Sequence, residues 1–501
     1  MKRLLLKNLL LAVGVAWGVV AFSDVKFGAP FGDGMVLQQD VQVPVWGMAA
    51  TGETVSVAFG GQCQRTVADA HGRWCVHIGP LSASAAPCDL IAASDRSSIE
   101  QSNNPNNRAV LHDVLVGEVW LCSGQSNMEL NLWGEPRVSE HGNHDANGIL
   151  DAMMTDEPLV RFTTVPKAWS AEPKPIEKPL AWDRMRFGNQ QGLSAIAFHY
   201  SLMLHRALKV PVGVIVSSWG GTDIRPWISP KGYAGGGDIG GELKLPRTGK
   251  QSPTALWNAM IHPLLPFAVK GVLWYQGEYN NGEGMRYLPY MHALWRSYAA
   301  DFGNPKIPLY YVQIAPFHYW HDEKSPRTHA CDIWEAQARF ERENACAGMV
   351  STVDIADWDN IHPGDKRTVA LRLAALALNR TYGRRDVPCE SAKLVEARVA
   401  GGVFKLRFRD AGQWILFGLE DAPFELSGAD GVWQPAKATY RPDEIDLKSD
   451  KVPAPKAFRY LWNWRGHGRL KNCFGLPLTP IPPTFESDGA KRDANVKEKR
   501  K

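Results

Sequence analysis

Apolar and polar positions along the chain change rhythm twice. Between residues 24 and 113 they alternate in short runs, as at Val41-Gln-Val-Pro-Val-Trp46 and Thr54-Val-Ser-Val-Ala-Phe59, punctuated by Gly60-Gly61 and His71-Gly72. Period-two alternation bounded by turn residues predicts half-buried strands, and hence a small β-sandwich-like N-terminal domain. From about residue 114 the apolar runs become continuous, at 117–122, 212–217, 271–275, 309–314 and 349–354. Helix-period stretches at 194–209, 253–267, 283–300 and 329–343 lie between most of them. Buried strands alternating with helices predict an α/β domain over 114–385, its parallel sheet covered on both faces. The segment 131–191, rich in Pro and charge, is expected to be a long surface excursion after the first strand. Beyond residue 380 the alternation returns, at 399–408, 414–419, 432–440 and 458–464, which predicts a C-terminal β-rich domain over 386–490. The polar, basic stretch 491–501 has nothing to bury and is expected to be a disordered tail.

The first 23 residues follow a different logic. Lys2, Arg3 and Lys7 precede an apolar run over 9–22, and Ala21-Phe22-Ser23 supplies small residues at cleavage spacing. This is the pattern of a secretory signal peptide, and the run is shorter than the roughly 20 apolar residues of a spanning helix. The mature chain is therefore expected to be exported, periplasmic or secreted, with no transmembrane segment. Export permits disulfides for the eight cysteines, and Cys63 and Cys75, flanking a turn at 69–72, are expected to face each other across two strands. The other pairings stay open. No CxxC or Cys/His spacing points to a zinc site.

Composition narrows the class of partner. Over 501 residues, 45% hydrophobic and 22% charged content excludes general disorder, and 56 basic against 52 acidic residues give only +4. Basic residues cluster densely only at the extreme C-terminus, so no nucleic-acid partner is expected. Nineteen Trp residues are compatible with sugar platforms and equally with core aromatics.

The chemistry-bearing residues fall at the ends of the predicted strands, where ligands bind in open α/β sheets. The first strand ends in Ser123-Gly-Gln-Ser-Asn-Met128, the second in Ser217-Ser-Trp-Gly-Gly-Thr-Asp223 and the third in Trp274-Tyr-Gln-Gly-Glu-Tyr-Asn280. The fifth is followed by Asp357-Trp-Asp-Asn-Ile-His-Pro363. Ser126, on a Gly-led turn before a helix start, is the candidate nucleophile, and a serine hydroxyl needs an adjacent base. His362 is the candidate base and Asp359 its orienter, because D-x-x-H spacing lets one turn hold both side chains on the same side. His262 also reads Ile-His-Pro, but Ala259 stands where the carboxylate would be, so it is expected to be structural. The backbone N–H groups of Ser126 and of Gly220 or Gly221, with the Gln276 side-chain amide, are candidate oxyanion donors. Glu278 and Asn280 are candidates for ordering that loop or touching substrate. Asp365 is placed to cap a helix carrying the apolar run 369–378.

Taken together, GQSNM, WGGT, WYQGE-x-N and D-x-x-HP resemble successive motif blocks of the SGNH hydrolase superfamily and, within it, of the sialate O-acetylesterase family. The stretches 33–38, 43–47, 258–264, 456–462 and 475–478 are also similar to that family, so the resemblance runs through most of the mature chain. It implies an SGNH-hydrolase-like parallel sheet flanked by helices, with β-rich regions at both ends. It also implies removal of O-acetyl groups from sialic acids or sialoglycans by an acyl-enzyme route, without metal or organic cofactor. Ser126 would be nucleophile, His362 base and Asp359 its partner, with Ser126, Gly220 and Gln276 forming the oxyanion hole. Gln276 stands where the superfamily usually has Asn, and Tyr279 where the family often has a small residue. An acetylxylan or other carbohydrate O-acetylesterase is the alternative of the same chemistry. A non-catalytic glycan-binding protein is the alternative from another class.

Overall fold

One strand, Arg108–Gly124 (β1), carries the architecture, and a computed structural model describes it within residues 25–94, 107–133, 146–317, 329–356, 360–416, 423–462 and 468–486. The leader pattern, most of the Asn-rich stretch at 101–108, Asp359 and the basic tail lie outside the described residues. The first half of β1 pairs antiparallel with Ser84–Ser94 and parallel with Val36–Gln38. Its second half is flanked by two parallel strands, Val212–Ser218 (β3) and Gly271–Tyr275 (β4). The change in rhythm near residue 113 therefore falls inside a continuous strand. The N-terminal region does contain two sheets, but its apolar core runs on without a break into one face of the central sheet.

The parallel part is completed by Glu157–Thr164 (β2), Leu309–Val312 (β5) and Ala347–Val350 (β6), in the order β2-β3-β1-β4-β5-β6. The strand β2 corrects the expectation of a surface excursion over 131–191: residues 160–163 within it are buried. Its apolar run is disguised by Arg161, a buried cation that the Asp113 carboxylate accepts at 2.6 Å. Side chains alternate across the sheet as period two requires. Val119, Leu121, Val272, Trp274 and Tyr311 join one cluster with helices Tyr287–Asp301 (α3) and His329–Glu343 (α4). Trp120, Cys122, Leu273, Tyr275 and Val312 join another with Ala195–Leu208 (α2) and Lys366–Leu376 (α5). Each fully buried large apolar side chain contributes about 1.5–3 kcal/mol, so these two layers fix where the strand ends lie.

Helix boundaries follow their caps. Ser194 Oγ accepts from Ala197 N–H at 3.2 Å, and Asp365 Oδ1 accepts from Thr368 N–H at 2.9 Å, starting α2 and α5. The predicted helix over 253–267 is instead a π-turn, Trp257–Ile261, and a 3-10 turn, His262–Leu264. Pro263 and Pro266 remove the donors that a regular helix would need. The C-terminal region forms antiparallel sheets around its own core, with Val353 reaching into it from the segment after β6. The buried Asp354 accepts from Arg372 at 2.6 Å and Lys471 at 2.8 Å, tying that segment both to α5 and to the C-terminal sheets.

Cys63 and Cys75 are both free thiols. Cys63 and Cys75 do not face each other because their strands join different sheets. Gln62–Val67 pairs with Thr54–Phe59, whereas Arg73–Ile78 pairs with Val43–Met48. Among the described residues no helix is long and apolar enough to cross a membrane.

Candidate active site

The site begins with a close approach that only glycine allows. Gly124 ends β1 at φ +140°, and a Cβ there would stand 2.2 Å from the Tyr275 carbonyl oxygen of β4. The chain then turns, Gln125 N–H donating to that same oxygen at 3.0 Å, into the short helix Ser126–Glu129 (α1). Ser126 opens α1, so its N–H is one of the unpaired donors of a helix start, and no acceptor takes it among the described residues. Gln125, not Ser126, occupies the cap position.

Across the sheet, the segment after β6 brings His362 to this turn. Its Nε2 lies 2.9 Å from Ser126 Oγ, and Asn360 Oδ1 accepts from its backbone N–H at 2.9 Å. Burial, and then the Lys366 ammonium, pull the imidazole down to about 4, so it is neutral at neutral pH and able to take a proton. Its Nδ1 is buried with no acceptor among the described residues, and Asp359, the expected orienter, lies outside them. His262 is elsewhere, edge-on to Trp257 with ring centroids 5.1 Å apart.

The expected oxyanion donors are disposed differently from the expectation. A Cβ on Gly220, in the turn after β3, would stand 3.3 Å from Ser126 Cβ, so the glycine abuts the nucleophile. Its N–H, however, is taken by the Glu129 carboxylate, whose other oxygen pairs with Lys167. Gly221 turns the chain at φ +63° and gives its carbonyl to Gln251. Gln276 is fully buried, and both hydrogens of its amide are spent, on Thr222 O at 3.0 Å and Asn280 Oδ1 at 2.7 Å. Tyr287 donates to its Oε1 at 2.8 Å. Gln276 therefore orders the loop after β4 rather than donating to substrate, which corrects its assignment to the oxyanion hole. Asn280 belongs to the same network, accepting from Ile224 N–H at 3.2 Å and donating to Glu283 at 3.3 Å. Tyr279 is exposed beside it.

A buried polar chain behind the nucleophile joins three segments. Lys366 Nζ donates to Asn127 Oδ1 at 2.5 Å, and Asn127 Nδ2 donates to Glu278 Oε1 at 2.6 Å and to Ile361 O at 3.0 Å. Asn127 thereby fixes the helix carrying Ser126 to the loop after β4 and to the residue preceding His362. Burial pushes the Glu278 carboxyl up, against the pull of Asn127 and Lys366. Glu278 thus orders loops here. Asn127, Lys366, Glu129 and Lys167 had no assigned role in the sequence; only Asn127, inside the GQSNM motif, carried a signal. Among the described residues no group of three or more His, Cys, Asp or Glu side chains could hold a metal ion.

The family model described as "Carbohydrate esterase, sialic acid-specific acetylesterase" matches residues 116–388, more than half of the chain. The chain belongs to this family. The matched span contains Ser126, Gly220, Gln276 and His362. The esterase is 28% identical to human sialate O-acetylesterase, over 94% of this chain and 95% of the human one. It is 27% identical to the mouse sialate O-acetylesterase, over 76% and 79% of the respective chains. The solved carbohydrate acetylesterase from Xanthomonas citri superposes with a TM-score of 0.80 at 30% identity, covering 93% of this esterase and 99% of that chain. That likeness takes in the β-rich ends of the esterase as well as its central sheet.

Proposed function

We propose that the esterase removes O-acetyl groups from sialic acids or sialoglycans by serine acyl transfer on an SGNH-type sheet. The observation that carries the chemistry is the 2.9 Å contact between Ser126 Oγ and His362 Nε2, two residues 236 positions apart in sequence. Ser126 Oγ attacks the acetyl carbonyl carbon while His362 Nε2 takes the hydroxyl proton, and the carbonyl oxygen gains the negative charge. That oxygen is held by the Ser126 N–H, and the adjoining Gly220 N–H joins it when the Glu129 carboxylate that now accepts from it turns away toward Lys167. The tetrahedral intermediate collapses, the sugar oxygen leaves with the proton from His362, and Ser126 is acetylated. Water then loses a proton to His362 as it attacks the acetyl-enzyme, and release of acetate restores the serine. No step calls on a cofactor.

We assign to Asp359, three positions before His362, the role of stabilising the imidazolium as it forms, since His362 Nδ1 has no acceptor among the described residues. Asp359→Asn is expected to lower kcat by about 10³–10⁴-fold with little change in KM, and kcat near that of the unaltered enzyme would remove Asp359 from this role.

The sialate substrate is supported by the named activity of the human and mouse relatives. Export is supported by the charged-then-apolar stretch over 1–23, which leaves the esterase to act in a periplasm or outside the cell. Turnover of mono-O-acetylated sialic acids of known position, measured beside acetylated xylan, tests the substrate. Faster release of acetate from the sialates is the expected result, and exclusive action on xylan contradicts it.

A further inference from the structure

The mouth of the site carries a charge that Ser126 and His362 do not use. The loop at 248–252 is closed by Ser252 Oγ, which accepts from Thr248 N–H at 3.0 Å and Gly249 N–H at 3.2 Å. Gln251 then clamps that loop to the turn after β3 at both ends of its amide. Its Nε2 donates to Gly221 O at 2.7 Å, and its Oε1 accepts from Asp223 N–H at 3.0 Å. The clamp delivers Lys250 to the turn. Its Nζ lies 3.4 Å from Gly220 O and 5.0 Å from the Trp219 ring centroid. Because Gly220 abuts Ser126, these contacts and standard backbone bond lengths put the ammonium within about 11 Å of the Ser126 Cβ.

Among the described residues, neighbouring charges are matched to one another. Glu129 is paired with Lys167, and Arg247 is drawn to Ala171 O and Glu172. Asp223, Glu242 and Glu283 are gathered inward on the Arg225 guanidinium. Among the described residues Lys250 has no carboxylate partner, so it leaves an unmatched positive charge on the turn beside the nucleophile.

Sialic acids differ from neutral sugars by a carboxylate on the ring. The geometry points to Lys250 as the residue that selects for this carboxylate, placing it so that a sialate's acetyl ester reaches Ser126. This rests on the sialate reading above and gives it a residue. A half-buried ammonium held over an indole face makes a charge-assisted bond, about twice as strong as a neutral one, and a neutral sugar ester cannot use it. Lys250 is a specificity residue and takes no part in bond making.

The test compares kcat/KM for a mono-O-acetylated N-acetylneuraminic acid with kcat/KM for p-nitrophenyl acetate, which has no carboxylate. Lys250→Gln is expected to lower the ratio of the two about tenfold, through the KM for the sialate, and Lys250→Glu to lower it further. Lys250→Arg is expected to keep the ratio within about twofold, since both side chains are cationic. Added salt should lower the ratio for the unaltered enzyme more than for Lys250→Gln. An unchanged ratio in both Lys250→Gln and Lys250→Glu, with the unaltered enzyme active on the sialate, overturns the assignment of Lys250. Cleavage of p-nitrophenyl acetate without any turnover of the sialate overturns the substrate reading, and this inference with it.

Discussion

Ser126→Ala is expected to lower kcat by about 10³-fold or more while leaving the thermal unfolding midpoint nearly unchanged, read by acetate release and by a melting curve. The side chain is only half-buried and its hydroxyl bonds to His362, so losing one oxygen removes a nucleophile without opening a cavity in the core. Residual rate is expected to come from substrate positioning and the remaining N–H donors, which survive the substitution. His362→Ala should cost a similar factor, and the double variant little more than either single one, because the two side chains act as a unit. Full esterase activity in Ser126→Ala would assign the attack to another group.

The second large effect is expected at Lys366, which sequence alone does not single out. It is buried, holds Asn127 and faces both Glu278 and His362. Lys366→Met leaves the Asn127 oxygen without this donor and the buried Glu278 without this cation, and is expected to cost about 3–5 kcal/mol of stability. Lys366→Gln retains an amide donor for Asn127 but no charge, and should cost less. Both substitutions are expected to move the acid limb of kcat/KM in one direction. The ammonium disfavours protonation of His362, so its removal lets the imidazole protonate at higher pH, and the limb moves up toward the ordinary imidazole value of about 6.5. A pH–rate profile of Lys366→Gln checks this, and a limb that stays put or moves down contradicts the electrostatic role.

Much of this site is legible in the sequence because strand ends are legible. Continuous apolar runs mark β3, β4 and the C-terminal end of β1 to within a few residues, though not the start of β1, and the polar motifs that follow them converge, as ligand sites at the ends of parallel strands do. The meeting of Ser126 with His362 follows from that placement. What stays hidden is where a polar side chain spends its hydrogen bonds. Gln276 has the right chemistry for an oxyanion donor and the right strand end, yet its amide faces Thr222 and Asn280 inside the loop. Glu129 and Lys167 lie 38 residues apart, and no periodicity links them. The strand β2 is missed because Arg161 and the prolines around it break the apolar pattern, while the partner that makes Arg161 buriable, Asp113, belongs to another strand. Lys366 reads as an ordinary first-turn residue of α5 until Asn127 is placed opposite it.

The central claim is that Ser126, activated by His362, is the group that becomes acylated. The most direct measurement is covalent labelling by a fluorophosphonate, which traps an activated serine, followed by peptide mass mapping. One adduct on Ser126, lost in His362→Ala, is the expected result. A catalytically active preparation that takes up the label at another residue, or that remains unlabelled while it turns over acetyl esters, would contradict it.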